Sequence, residues 1–504
     1  MTTILRAALA AAMVLAPLPA LAQQQPSPNS AGGAGQGTPP AFPATPAGEA
    51  GKALVEALNA DDETAVRRFV DTRVAERLDV GWTRDRYAAL LAKLRQQSGG
   101  VEVTRVREMG SGLGVFVRSR TGGHRLGIEV GMRGTGEVEL LGMHPTHPPV
   151  RAEWPAEKLD DEGVAAAVGR HLEAVAAADR FSGVVVLAHG DRVLLRRAYG
   201  MADRERGVPM TPETRAATAS VGKMATGVAV ARLVEAGKLR FTDTLGSLLP
   251  DHPNPDARRV TIHQLLTHTA GIADPFASPR FVRGADYPTW RDYLPLFASE
   301  PLTMTPGERF GYSNGNFAVL AAVVEKASGM PFERYVREQV YDRAGMAMRE
   351  DGPSARGYSH APEWDPMGIE PRRANGWLVG EGARSTPVGF GFGHATADDL
   401  FRFARALKTN RLLSPAMTET VVEGKVDVFP GQLRYGYGIY EHSWEGARVL
   451  GHSGGGSSSG IGAHVEVLWD ADWTLVVLGN VDLEEDVRPL VFDLLDFLVK
   501  QTKA

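Results

Sequence analysis

The sequence predicts a two-part chain of the α/β (α+β) class. A small α+β domain over 48–143 precedes a large domain over 157–504, whose antiparallel sheet is flanked by terminal helices and faces a helical lobe. Three observations carry this. In the first part, three helix-period stretches precede four alternating segments. In the second, strand-like segments lie only near the two ends, with helix-like and loop-like sequence between them. A length of 504 residues is also too great for one ordinary core.

The N-terminus, "MTTILRAALAAAMVLAPLPALAQQQPSP", has Arg6 as a positive flank and an apolar run from Ala7 to Ala16. Ala20-Leu21-Ala22 is a small-x-small cleavage site, so residues 1–22 are expected to be a signal peptide. The run is too short to span a bilayer, and Pro17 and Pro19 follow it. Export to a bacterial periplasm or to the medium is therefore expected, with no membrane span. Residues 23–47, rich in Gln, Pro, Ser and Gly, are expected to be a disordered tether.

The small domain reads as helices "GKALVEALNA", "DETAVRRFVDTRVAERL" and "TRDRYAALLAKLRQQ". Strands "VEVTRVREM", "LGVFVRSR", "HRLGIEV" and "GEVELLGM" follow, separated by Gly-rich turns. This element order resembles the cystatin-like or nuclear-transport-factor-like cone. Residues 144–156 begin "HPTHPPVRAEWP", a Pro-rich linker. His144 and His147 have no third ligand nearby, and no metal site is expected there.

The large domain opens with a helix, "DEGVAAAVGRHLEAVAAA", and two strands, "SGVVVLAHG" and "RVLLRRAYG". It closes with strands "ARVLGHSG", "GIGAHVEVLWD" and "WTLVVLGNVD". In the final helix, Val487, Leu490, Val491, Leu494, Leu495 and Leu498 share one face.

Composition excludes several functions. A net charge of −5 offers no basic surface for nucleic acid or anionic lipid. The absence of cysteine removes disulfides, thiolate metal sites, cysteine nucleophiles and a lipoprotein anchor.

The chemistry concentrates in three places. In "TASVGKMATGVAVARLVEAGKL" the apolar positions Val221, Met224, Val228, Ala231, Leu233 and Val234 have a helical period, and Gly237 is a natural stop. Ser220 and Lys223 then share a face, and Ala219, Ser220, Thr226 and Gly227 give the lysine no acid one turn away. A buried lysine without a carboxylate loses its proton, and a neutral amine beside a hydroxyl is a base beside a nucleophile. Alone, a capping serine and a snorkelling lysine would explain the pair. In "PGERFGYSNGNFAVLAAVVEKASG", Tyr312 and Asn314 precede a helix and can face a cleft, though capping by Asn314 would also account for it. In "VLGHSGGGSSSGIGAHVEV", His452-Ser453-Gly454 ends a strand, and glycines that admit close backbone approach follow.

The three together resemble the serine β-lactamase and penicillin-recognising hydrolase superfamily, in its class C-like branch, where Y-x-N takes the second place. The resemblance covers about Phe181 to Val481. It includes "GKLRFTDTLGSLLPDHPNP", "VTIHQLLTHTAGI" and "GFGHATADDLFRFARAL". It implies the β-lactamase/transpeptidase-like fold and a serine acyl-enzyme, with no metal or organic cofactor. Ser220 would be the nucleophile, Lys223 its base, and Tyr312 a proton relay. Asn314 would orient Lys223 and substrate, His452, Ser453 and Gly454 would line the substrate strand, and the N–H groups of Ser220 and Gly455 would form the oxyanion hole.

The chain departs from class C β-lactamases at His452, where they carry lysine. A neutral imidazole grips a substrate carboxylate weakly. Esters and D-amino-acid amides or peptides are thus expected above β-lactams, as small ester, peptide or cell-wall-type substrates. The alternatives are a penicillin-binding or cell-wall-ligand-binding module with little turnover, or a weak β-lactamase. His268 and His394 are expected to hold loops, and Trp290, Trp377 and Trp444 are candidates to line a pocket.

Overall fold

The computed structural model describes residues 40–503 apart from short stretches, the longest being 76–82, 361–372 and 380–388. The expected signal peptide and all but the end of the expected tether lie outside the described residues. Two compact units form, one of the described residues up to Pro145 and one of those from Val150 onward.

In the first unit, helices α1 (Pro46–Asn59), α2 (Ala65–Arg73) and α3 (Arg84–Ser98) precede strands β1 (Val101–Met109), β2 (Gly112–Ser119), β3 (Arg125–Arg133) and β4 (Glu137–Pro145). The strands form an antiparallel meander in sequence order. Leu54, Leu58, Val70, Leu91, Leu113, Val115 and Ile128 are buried in its core. Two expected boundaries move. The tether was expected to run to residue 47, but α1 starts at Pro46, because Thr45 caps it and proline suits the first turn. The Pro-rich linker was expected from residue 144, but His144 and Pro145 still pair with Gly127 and Leu126. Proline is tolerated there because β4 is an edge strand. His147 lies outside the described residues.

In the second unit, α4 (Asp161–Ala177) leads to β5 (Gly183–His189) and β6 (Arg192–Tyr199). The segment after Ser220 then gives α5 (Lys223–Glu235), and α6 (Asn314–Ser328) and α7 (Ala397–Lys408) come later in the chain. The other strands of the main sheet are β7 (Val426–Phe429), β8 (Leu433–Tyr435), β9 (Tyr440–Trp444), β10 (Ala447–Gly456), β11 (Ile461–Leu468) and β12 (Trp473–Gly479), several two- and three-residue strands lie outside it, and α8 (Arg488–Thr502) follows β12. These six with β5 and β6 form one eight-stranded antiparallel sheet, ordered β7-β8-β9-β10-β11-β12-β5-β6. The two ends of the unit meet where β12 pairs with β5, from Trp473 opposite His189 to Gly479 opposite Gly183. Sequence patterning did not resolve β7, β8 and β9, which are only 4, 3 and 5 residues long.

The helix period of the two terminal segments has a direct consequence. Trp154, just before α4, stacks on Phe497 of α8 with ring centroids 4.3 Å apart. Trp444 of β9 packs on Phe492 at 5.0 Å, and its indole N–H donates to Asp496. Trp444 is thus committed to the α8 contact and does not line a pocket. On the lobe side, Val184, Val186, Leu450, Val465, Val467 and Val476 from the sheet share one core with Val221, Met224, Val228, Phe317 and Leu320. Fully burying a large apolar side chain contributes about 1.5–3 kcal/mol, so this shared core holds α5 and α6 against the sheet. Among the described residues, no helix is long and apolar enough to cross a membrane.

Candidate active site

Ser220 does not stand on α5 itself. It lies in a 3₁₀ turn, Ala219–Gly222, that runs into the helix. Side chains three apart eclipse in a 3₁₀ turn, so the S-x-x-K spacing still stacks serine and lysine. Ala219, just before the serine, has φ of +42°, a left-handed conformation that costs an L-residue energy and is found where a site over-determines the backbone.

Lys223 is completely buried, and its Nζ lies 3.0 Å from Ser220 Oγ and 2.7 Å from Asn314 Oδ1. Its amine also faces the rings of Tyr312 and Phe317, at 4.8 and 5.6 Å. Burial holds its pKa well below the ordinary lysine value, while Asp274 pulls the other way. Tyr312 O–H donates to Ser220 Oγ at 2.9 Å. Burial pushes this phenol well above its usual range, so it stays protonated. The resting arrangement is then a phenol donating to the serine oxygen, which also lies against an amine whose pKa burial lowers.

Asn314 could have spent its side chain as a helix cap. Ser313 takes that role instead, its Oγ accepting the Gly315 N–H at 3.1 Å. Asn314 becomes the first residue of α6 and its amide is released to the site. The following turns bury Phe317, Leu320, Ala321 and Val324 completely, which fixes the helix and therefore the amide.

Asp274 was not singled out from sequence. Its Oδ2 accepts both the backbone N–H (2.7 Å) and the side-chain N–H (2.9 Å) of Asn314, and its Oδ1 accepts the Phe276 N–H at 2.8 Å. The expectation that Lys223 has no acid near it holds along its own helix and fails across the fold. The signal available in sequence was an Asp before proline in "HTAGIADPF", an ordinary turn pattern.

His452 is 1% exposed. Its Nδ1 lies 2.6 Å from the Ser453 carbonyl and its Nε2 3.2 Å from the Tyr435 hydroxyl. The carbonyl can only accept, so Nδ1 carries the proton and Nε2 accepts from the phenol. Burial, with Lys223 adding to it, pushes the imidazole pKa down to about 3. Both ring nitrogens are therefore engaged within the protein.

Ser453, Gly454 and Gly455 lie on β10, which packs against the Ser220 turn at Gly454. A Cβ on Gly454 would sit 2.0 Å from the Thr218 carbonyl oxygen and 2.9 Å from the Ser220 nitrogen. Only glycine permits that approach. Gly454→Ala is expected to lower stability by about 1–3 kcal/mol, as overpacking does, and to reduce activity by lifting the strand from the serine turn. Urea denaturation and steady-state rates check this; an unchanged midpoint with full activity would contradict it. Gly455 has φ of +127°, which also requires glycine.

His268 sits behind the tyrosine, with ring centroids 4.3 Å apart. Its Nδ1 accepts the Ser313 N–H at 3.2 Å and faces the Asn316 amide nitrogen at 3.0 Å, so it holds the Y-x-N loop. His394 pairs with Ala217 just before the Ser220 turn and is likewise a loop holder. Trp290 is buried in the lobe core. The side chain of Trp377 lies outside the described residues.

The family model described as Beta-lactamase matches residues 168–497. A penicillin-binding protein of Bacillus subtilis (strain 168) is 28% identical over 300 residues, 55% of this chain and 63% of that protein. Esterase EstB of Burkholderia gladioli is 36% identical over 179 residues, 32% of this chain and 44% of the esterase. The chain thus spans less than two thirds of the length of these two curated relatives. The crystal structure of a penicillin binding protein from Bacillus halodurans is similar at a TM-score of 0.55 and 28% identity, covering 65% of this chain and 99% of that one.

Proposed function

Because this chain belongs to the Beta-lactamase family, we propose that it is an exported serine hydrolase acting through an acyl-enzyme on Ser220. The observation that carries this reading is the placement of Ser220 Oγ, 3.0 Å from a buried amine and 2.9 Å from a buried phenol. Export rests on Ala20-Leu21-Ala22 after the apolar run.

In the proposed reaction, Lys223 Nζ takes the serine proton through its lone pair while one of its N–H groups stays on Asn314 Oδ1. Ser220 Oγ attacks the substrate carbonyl carbon. The N–H groups of Ser220 and Gly455 stabilise the negative oxygen of the tetrahedral intermediate. As the intermediate collapses, Tyr312 gives its proton to the leaving alcohol or amine and regains one from the Lys223 ammonium. Water then attacks the acyl carbonyl and gives its proton to the same pair, which returns it to Ser220 Oγ as the bond from Oγ to the acyl carbon breaks and the acid leaves. No step requires a metal or organic cofactor.

The substrate class follows from His452. A neutral imidazole with both nitrogens engaged offers no fixed charge to a carboxylate, whereas a lysine there would give a charge-assisted hydrogen bond of about 1.5–3 kcal/mol. Uncharged short-chain esters and D-amino-acid amides or peptides are the preferred class, and β-lactams are poor substrates.

A panel of p-nitrophenyl esters, D-alanyl peptides and nitrocefin, each run with wild type and Ser220→Ala, tests the reading. Short esters are expected to turn over well and nitrocefin slowly, with every rate lost in Ser220→Ala. Stoichiometric penicillin binding without turnover of any panel member would favour a binding module instead. His452→Lys is expected to shift the kcat/KM ratio toward nitrocefin by about tenfold, the worth of 1.4 kcal/mol. A wild-type preference for carboxylate-bearing esters, lost as pH rises through the ordinary imidazole range, would refute the neutral assignment.

A further inference from the structure

We propose that Asp274 is a positioning residue that sets the orientation of the Asn314 amide and, through it, the state of Lys223. This rests on the serine-hydrolase reading of the same site. An asparagine amide presents an oxygen at one end and a nitrogen at the other, and packing alone distinguishes them poorly. Here Asp274 Oδ2 takes both N–H groups that Asn314 can turn toward it, from the backbone at 2.7 Å and the side chain at 2.9 Å. A carboxylate cannot face an amide oxygen without repulsion, so Oδ1 is left pointing at Lys223 Nζ, 2.7 Å away. An acceptor there occupies an N–H of the amine and directs its lone pair toward Ser220. A flipped amide would put a donor against the amine, draw the lone pair onto itself and compete with the serine proton.

Asp274 is well placed for this task. It lies in the turn after Gly271, and the Phe276 N–H fixes its other oxygen. Burial pushes its carboxyl pKa up, and the three N–H donors pull it back toward the carboxylate. Groups that reach Lys223 from the elements around it include Ser220 from its own turn, Tyr312 from the loop before α6, Asn314 and Phe317 from α6, His268 from an earlier loop, and His452 from β10. Both histidines are held neutral by burial, so the charge that favours the ammonium comes from Asp274.

The sign of the test follows. Asp274 raises the amine pKa, and so does an acceptor at its N–H. Asp274→Asn removes the charge and frees the amide to flip, and both changes lower that pKa. The ascending limb of the rate against pH should then move toward acid by about one unit, the lower end of what a nearby opposite charge does. The readout is the second-order rate of Ser220 labelling by a fluorophosphonate across pH, followed by intact mass, for wild type and Asp274→Asn. The maximal labelling rate should fall about tenfold, by loss of orientation. Asp274→Glu should restore part of the limb position. A limb that superimposes on wild type overturns the proposal, whatever happens to the maximal rate, because a merely structural role lowers the rate without moving it. If Asp274→Asn does not fold, Asn314→Ala cuts the same link at its other end and should move the limb in the same direction; an unmoved limb there overturns it equally. Wild type that takes no label on Ser220 overturns both this proposal and the reading beneath it. A labelled wild type with an unshifted variant overturns this one alone.

Discussion

Ser220→Ala is expected to keep the fold and lose roughly 10⁴-fold or more in kcat, as when other covalent nucleophiles are removed. The size of the loss follows from the position of the hydroxyl. Its oxygen is the atom that both Lys223 and Tyr312 approach, at 3.0 and 2.9 Å, so without it the base and the relay have no common partner. The fold should survive because the serine is small and its 3₁₀ turn is held by the Val221 N–H on the Thr218 carbonyl and by the Thr218 contacts to Gly393, none of which uses the Ser220 side chain. Thermal melting of the variant alongside steady-state rates separates the two. Retention of even one hundredth of the activity in a variant that melts normally would be incompatible with a covalent role for this serine.

Lys223→Ala is expected to cost about 10²–10⁴-fold, the range for removing a positioned general base. Lys223→Arg should not rescue it, because a guanidinium stays protonated and cannot accept the serine proton. In wild type, kcat/KM should rise with pH as the amine deprotonates, with its midpoint well below the ordinary lysine value because burial depresses the folded pKa. The same shift has a consequence for stability. The unfolded chain binds this proton where the folded chain does not, so the buried lysine costs more stability as pH falls below the unfolded pKa toward the folded one. The melting temperature of Lys223→Met relative to wild type should accordingly increase from alkaline to neutral pH. A pH-independent difference, together with full activity in Lys223→Ala, would move the base elsewhere.

The parts of the site that were legible in sequence are those in which chemistry and local pattern coincide. Ser220 and Lys223 are three apart on an apolar segment, and the fold puts their reactive atoms together. Tyr312 and Asn314 are two apart before a helix with a buried face, and the helix start presents both. The strands at each end of the large unit were legible for the same reason, since runs such as "GVVVLA" and "TLVVLG" are buried on both faces. What was not legible depends on long-range contacts. Asp274 reads as a turn residue until α6 brings Asn314 against it. The state of His452 depends on Tyr435, on a strand of 3 residues that has no period to detect. The sequence offers Asn314 as the cap of α6; the structure gives that role to Ser313, whose Oγ accepts the Gly315 N–H, and leaves the Asn314 amide to Lys223.

The central claim is that Ser220 is a nucleophile activated by its own constellation. Peptide-level mass spectrometry after brief exposure of wild type to a fluorophosphonate tests it most directly. One equivalent of label on the peptide carrying Ser220, absent from Ser220→Ala and strongly slowed in Lys223→Ala, is the expected result. Label on another serine, with Ser220 unmodified, would contradict the account.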